Sequence, residues 1–224
     1  MRDDYGNNYA THSLGPVSKW MGLNDGDRME RLVCMMTRPR VMHAYAVKQF
    51  GPESAPGKVD FKLGEMVSAL IYTAEGRVIR VDLDVHSPRP ISNYYLLQGM
   101  QGCFDTRTGI YLEERSPFDR WEPVSGFHDQ YAHPWWREWK EQARRTGHQG
   151  SDYFVVFDFV RMLKTGREPW IDVYDAACWS SIYHCTRQSL DTGNAPVEMP
   201  DFTKGRWKDK DWRRDGLKPV FPAA

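Results

Sequence analysis

No run in the sequence approaches the ~18 consecutive apolar residues that a membrane span requires. The opening eight residues have no apolar stretch that could serve as a signal peptide. Lys plus Arg and Asp plus Glu both number 30, so no net field points to nucleic acid or to an anionic membrane. Cysteine is scarce: Cys34, Cys103, Cys178 and Cys185, with no Cys-x-x-Cys spacing. Cys178 and Cys185 fall two turns apart on one predicted helix, roughly 10 Å at ~1.5 Å rise per residue, too far for a disulfide. Reduced core thiols of a cytoplasmic type are therefore expected. Nucleotide signatures are missing as well: there is no Gly-x-Gly-x-x-Gly after a strand and no phosphate-binding Gly-Lys-Ser/Thr loop. None of His12, His43, His86, His128, His133, His148 and His184 forms His-x-x-x-His or His-Glu-x-x-His, so no dedicated zinc site is expected. A Gly-x-Ser-x-Gly elbow is absent, and Ser180-Ser181 falls mid-helix, poorly placed for attack. The pairs Asp82/Asp84 and Glu113/Glu114 read as a solvated strand face and a loop.

What the chain does have is aromatic side chains, 13% of its residues with 9 Trp, enough to fill a core or to wall a sugar site. Its clearest pattern is an alternation. Val67, Ala69 and Ile71 interleave with Ser68, Leu70 and Tyr72; after a turn at Glu75-Gly76, Ile79, Val81, Leu83 and Val85 interleave with Arg80, Asp82, Asp84 and His86. This is a β-hairpin with a two-faced second strand. Arg31–Met36, Tyr94–Gln98 and Ile110–Leu112 read as further strands. Val41–Phe50, Pro134–Thr146, Ser151–Lys164 and Val173–Leu190 read as helices, stopped by glycines or Pro. The Ser151–Lys164 helix is apolar almost all round and is expected to be buried, with Ser151 as its cap. From residue 199 to 224 the chain is rich in Pro, Trp and charge and reads as an extended tail lying across the body. The fold expected is one α+β domain over residues 1–224, an open, mainly antiparallel sheet with helices packed on one face.

One constellation carries chemistry. Tyr9-Ala10-Thr11-His12 places a phenol and an imidazole three residues apart at the start of a helix whose apolar stripe is Leu14, Val17 and Met21. With Thr11 or Ser13 as cap, His12 lies in the first turn, where the helix dipole favours a neutral imidazole able to exchange protons. A histidine that merely caps or packs satisfies the same spacing. Gly147-His148-Gln149-Gly150-Ser151-Asp152 leads into a helix and suits either an anion or hydroxyl site, or a plain turn. The Arg80, Asp82 and Asp84 face is either solvated or a polar contact between subunits.

Tyr9-Ala10-Thr11-His12-Ser13-Leu14-Gly15-Pro16-Val17 resembles the Tyr-Pro-Thr-His-Gly-Leu-Gly-Pro-Val segment of glycoside hydrolase family 109, NAD-dependent glycosidases within the Gfo/Idh/MocA oxidoreductase-like superfamily. Five further stretches agree in order: Gly26-Asp27-Arg28, His86-Ser87-Pro88-Arg89-Pro90, Gly147-His148-Gln149-Gly150, Asp172-Val173-Tyr174-Asp175-Ala176-Ala177-Cys178-Trp179-Ser180-Ser181 and Pro200-Asp201-Phe202-Thr203. Two positions depart from the pattern: Ser13 replaces a glycine, and Ile91 stands where the family usually has a substrate-contacting tyrosine.

The resemblance implies the substrate-binding C-terminal half of an enzyme whose preceding Rossmann domain, absent from this chain, holds NAD. By itself the chain would then bind no NAD and be inactive. The implied reaction oxidises the sugar at carbon 3, which acidifies the proton on carbon 2; the aglycone is eliminated, water adds, and the same NADH reduces the ketone. On the matching positions, Tyr9 and His12 would bind sugar and handle protons, and Ala10 and Thr11 would line the same turn. Arg89, His148 and Asp152 would edge the site or hold its loops. The partners implied are a glycoside or sugar substrate, the Rossmann domain or chain, and a second subunit against the sheet face. An α-N-acetylgalactosaminidase-like activity leads. An NAD(P)-dependent sugar oxidoreductase domain, or a non-catalytic sugar-binding or dimerisation module, remains open.

Overall fold

The structure is a computed structural model that describes residues 2–209 and 211–212. Where the sequence reads as one domain, the backbone gathers into two compact units. One runs to Pro90 and resumes at Ile171; the other is Ile91–Trp170.

The first unit is a four-stranded antiparallel sheet with helices on it. Its strands are β1 (Met29–Met36), β2 (Met66–Thr73), β3 (Val78–Asp84) and β7 (Val197–Glu198), in the order β3-β2-β1-β7. The alternation of the sequence becomes the two faces of this sheet. Leu32, Ile71 and Ile79 form one inward row, Cys34, Ala69 and Val81 the next, and all six are buried. The outward rows are Arg31, Tyr72 and Val78, then Val33, Leu70 and Arg80. Helices α1 (Ala10–Met21) and α6 (Val173–Asp191) cover the inward face; Leu14, Cys178, Ile182 and Cys185 complete its core. Helix α2 (Val41–Phe50) follows β1.

Strand β7 was not legible in the sequence: Val197 pairs with Leu32, and Met199 N–H donates to the Glu30 carbonyl. Beyond it the chain turns back on itself. Asp201 accepts from the N–H groups of Thr203 and Gly205, Trp207 is buried, and the Trp207 carbonyl accepts from Gly26 N–H. The rest of the expected tail, residue 210 and residues 213–224, lies outside the described residues.

The second unit joins a three-stranded antiparallel meander to helices. The strands are β4 (Leu96–Gly99), β5 (Gly102–Asp105) and β6 (Gly109–Leu112), so the later strands form a separate sheet rather than extending the first. Helix α3 (His128–Tyr131) is a single turn, and α4 (Pro134–Ala143) begins with Pro134 in its first turn and His133 Nδ1 accepting from Trp135 N–H. Helix α5 (Ser151–Thr165) packs on α4 through Phe154 and Phe157 against Trp135, Trp136 and Trp139.

The burial expected for α5 does not hold: none of its residues is buried. Val155, Val156, Phe159, Val160 and Leu163 form an exposed stripe, because α5 packs on α4 through Phe154 and Phe157 and leaves these side chains uncovered. Ser151 is not its cap either. The N-cap is Gly150, in a left-handed conformation with no side-chain cap bond, and Ser151 is the first helical residue.

Candidate functional site

Helix α1 begins at Ala10, with Tyr9 as N-cap, two residues before the earliest cap expected. Thr11 and Ser13 therefore sit inside the helix. The capping work is done from outside it: Asn7 Oδ1 accepts from Tyr9 N–H at 3.3 Å, a turn closed by an Asn side chain two residues upstream. This places His12 in the first turn, as its spacing suggests. Tyr9 Oη lies 3.3 Å from His12 Nε2, and the two rings stack with centroids 4.5 Å apart and 19° between planes. Both side chains are exposed, Tyr9 by 55%, while Ala10 between them is buried and Thr11 faces solvent. A buried histidine of the packing kind would show the opposite. One turn later Pro16 has no N–H to offer the His12 carbonyl.

Arg89, in the same unit, is engaged. Its Nε lies 3.3 Å from Asp84 Oδ2, and its guanidinium also donates to the Asp84 carbonyl. Partial burial works to raise the Asp84 carboxyl, but Ser87 N–H and Arg89 outweigh it and hold it below the usual carboxylate range. The pair thus fixes the turn after β3.

His148 and Asp152 lie in the second unit and bond each other, Nδ1 to Oδ1 at 2.8 Å. His148, Gln149 and Gly150 are three successive left-handed residues, with φ of 49°, 58° and 100°. For the two non-glycines this costs about 1 kcal/mol or more each, a strain that surrounding contacts must hold. Gly150 is required by space: a Cβ there would stand 2.9 Å from the Trp136 ring and 3.1 Å from the Ala143 backbone. Beside Asp152 a cleft of about 680 Å³ opens, with Tyr153, Val156, Phe157, Val160 and Lys164 among its lining residues. It is apolar, and neither Tyr9 nor His12 lines it. Ile91 is fully exposed, and Tyr94 lies under the Arg107 guanidinium at 4.3 Å.

Several of the ordered sequence motifs are structural. Asp172 caps α6 by accepting from Tyr174 and Asp175 N–H, and Asp175 reaches back to close a capping box. Buried Asp27 accepts from the N–H groups of Arg28 and Glu75 and from Arg77, tying the β2–β3 turn to the segment before β1. Sequence reasoning did not find Asn7 or Thr186, which hold the start of α1; the only signal was an Asn two residues before the N-cap. Among the described residues no cluster of three or more His, Cys, Asp or Glu could hold a metal ion, and no helix is long and apolar enough to cross a membrane.

The family model described as Glycosyl hydrolase 109, C-terminal domain, matches residues 1–209. The chain belongs to this family. A glycosyl hydrolase family 109 protein of Stenotrophomonas maltophilia is 36% identical over 215 residues, covering 95% of this chain and 46% of that one. A family 109 protein of Phocaeicola vulgatus is 38% identical over 213 residues, covering 92% and 51%. A protein named alpha-N-acetylgalactosaminidase, from Tannerella forsythia, is 34% identical over 203 residues, covering 90% and 43%. The chain thus spans about half the length of the relatives it matches. An oxidoreductase domain protein from Kribbella flavida has a similar fold, with a TM-score of 0.58 at 16% identity over 85% of this chain and 51% of that one. The open antiparallel sheet with helices on one face is therefore the architecture of this family 109 domain.

Proposed function

We propose that this chain forms the substrate-binding part of a glycosidase of the α-N-acetylgalactosaminidase type, in which the Tyr9–His12 pair exchanges protons at the reacting sugar hydroxyl. The observation that carries this reading is the 3.3 Å contact between Tyr9 Oη and His12 Nε2, on an exposed turn, within the segment that carries the family resemblance. With the imidazole proton on Nδ1, Nε2 accepts the hydrogen bond of the phenol. As a sugar hydroxyl gives its proton to Tyr9 Oη, the phenol passes its own to Nε2; the reverse transfer restores both groups. Ring stacking holds the phenol beside the imidazole, and both side chains are exposed on the turn.

The redox cofactor implied by the family does not fit this chain. A dinucleotide site needs a glycine-rich turn between a strand and a helix of a parallel unit. Every strand ladder among the described residues is antiparallel, and the sequence has no such turn. NAD binding is accordingly assigned to the part of the relatives' length that this chain does not span. The open face of the first sheet, with Leu70, Tyr72 and Val78 exposed beside Arg31, suits contact with a second subunit; light scattering of the chain tests that, and a monomer at high concentration would refute it.

The test of the catalytic reading joins this chain to the Rossmann half of a relative and assays a panel of aryl glycosides with NAD. Aglycone release without accumulating NADH is expected. Accumulating NADH would instead identify a sugar oxidoreductase, and sugar binding without turnover a binding module. Full activity of a His12→Ala variant would remove the proton-transfer role.

A further inference from the structure

Asn7 stands apart from the other polar residues near the candidate site. Its side chain is 1% exposed, yet it belongs to none of the buried ion pairs of the unit. Its two bonds run in opposite directions. Oδ1 accepts from Tyr9 N–H at 3.3 Å, and its own N–H donates to Thr186 Oγ1 at 3.0 Å. Thr186 is itself fully buried in α6 and donates its hydroxyl proton to the Ile182 carbonyl at 2.8 Å. Gly6 makes the approach possible: its φ is +84°, and a Cβ there would lie 2.9 Å from Thr186 Oγ1. Tyr9 has no side-chain cap of its own, so the first turn of α1 is oriented through Asn7 against α6. Farther along, Gly15 faces the Trp179 ring and Lys19 reaches Asp175, which fix the rest of α1 on the same helix.

We propose that Asn7 is a positioning residue for the Tyr9–His12 pair, holding the Tyr9 backbone on α6 so that the phenol stacks on the imidazole. The proposal rests on the proton-exchange reading only for its purpose; the geometry it asserts is that of the chain alone. An exposed ring pair has little packing to hold it, so its alignment depends on the backbone that carries it. Removing the Oδ1 acceptor frees the Tyr9 N–H and lets the N-cap torsions relax, which swings the phenol off the imidazole.

The experiment is NMR of the 224-residue chain, reading the Tyr9 amide exchange rate and the His12 ring-proton shifts. In Asn7→Ala, Tyr9 amide exchange is expected to rise roughly five-fold, as loss of one ordinary hydrogen bond gives. The upfield displacement of the His12 ring protons by the stacked phenol is expected to vanish. Asn7→Ser, whose hydroxyl can accept in the same two-residue turn, is expected to restore both signals. Should Asn7→Ala fail to fold, Thr186→Val carries the same reading with the same two signals, and Thr186→Ser the same rescue. A lowered melting temperature with both signals unchanged would overturn the proposal and leave Asn7 a merely structural residue. Failure of the sugar assay would leave these signals untouched, so the two readings fail separately.

Discussion

Lys19 Nζ lies 2.6 Å from Asp175 Oδ2, joining the last turn of α1 to the first turn of α6 across the covered side of the sheet. The carboxylate is 1% exposed, and Asn24 Nδ2 reaches its other oxygen at 3.3 Å. Removing one partner of such a pair leaves a buried charge without compensation, which costs about 3 kcal/mol or more. Lys19→Met is therefore expected to lower the urea midpoint strongly. Arg144→Ala, which breaks the exposed pair with Glu141, should change the unfolding free energy by less than about 0.5 kcal/mol. Equal effects of the two substitutions in urea titrations would refute this.

Acid should weaken the first unit through Glu65. Partial burial works to raise this carboxyl, but it accepts from the N–H groups of Val41 and Arg40 at 2.6 Å each and from the Thr37 hydroxyl, and its pKa falls to about 2. The folded pKa lies below the ordinary value of 4.5, so the contribution is complete above about pH 4.5 and is lost as pH falls from there towards about 2. Glu65 thus caps α2, whose own N-cap Arg40 offers no side-chain bond. Glu65→Gln should flatten the stability profile between pH 4.5 and 2, which circular dichroism melts across that window would show.

The hairpin was legible because β2 and β3 alternate with period two, and a one-residue slip would turn Ile71 and Ile79 out to solvent. The start of α1 was legible only to the turn. Its cap lies at Asn7, acting on Tyr9 from outside the helix, where no helical periodicity reaches. Strand β7 is two residues long, too short for any alternation, and is placed by the Val197–Leu32 pairing. The apolar run of α5 signalled a helix but not what would cover it, so Phe154 and Phe157 found α4 while Phe159 and Leu163 remain exposed. The Tyr9–His12 contact was the legible part of the candidate site, because three residues is a helical neighbour spacing. The His148–Asp152 bond was not, since it depends on left-handed torsions that sequence rarely reveals.

Thiol reactivity should single out one cysteine. Cys34, Cys178 and Cys185 are buried, while Cys103 on β5 is half-buried. Burial pushes the Cys34 thiol up to about 11 and also raises Cys185, so little thiolate forms at pH 8. Native labelling with iodoacetamide, read by peptide mass spectrometry, should modify Cys103 first, with the other three protected until denaturant is added. Early labelling of Cys34 would contradict the sheet register that places it between Ala69 and the hydroxyl of Ser189.

The decisive substitutions for the proposed chemistry are His12→Ala and Tyr9→Phe in the enzyme completed with a Rossmann half. If Nε2 is the proton acceptor, His12→Ala should lower kcat/KM about 10²–10⁴-fold, the range for loss of a general acid–base group. Tyr9→Phe keeps the stacked ring but removes the hydroxyl, so the imidazole keeps its place and the relay loses its first oxygen. Its loss should fall mainly on kcat, because the phenyl ring and its stacking on His12 survive while the oxygen that takes the sugar proton is gone. Neither substitution should alter the melting temperature by more than about 1 °C, since both side chains are exposed. Steady-state kinetics with an aryl glycoside, alongside thermal melts of the same samples, decide the matter. A Tyr9→Phe enzyme with unchanged kcat would leave His12 to act directly on the sugar, and an unchanged His12→Ala enzyme would end the proton-exchange reading altogether.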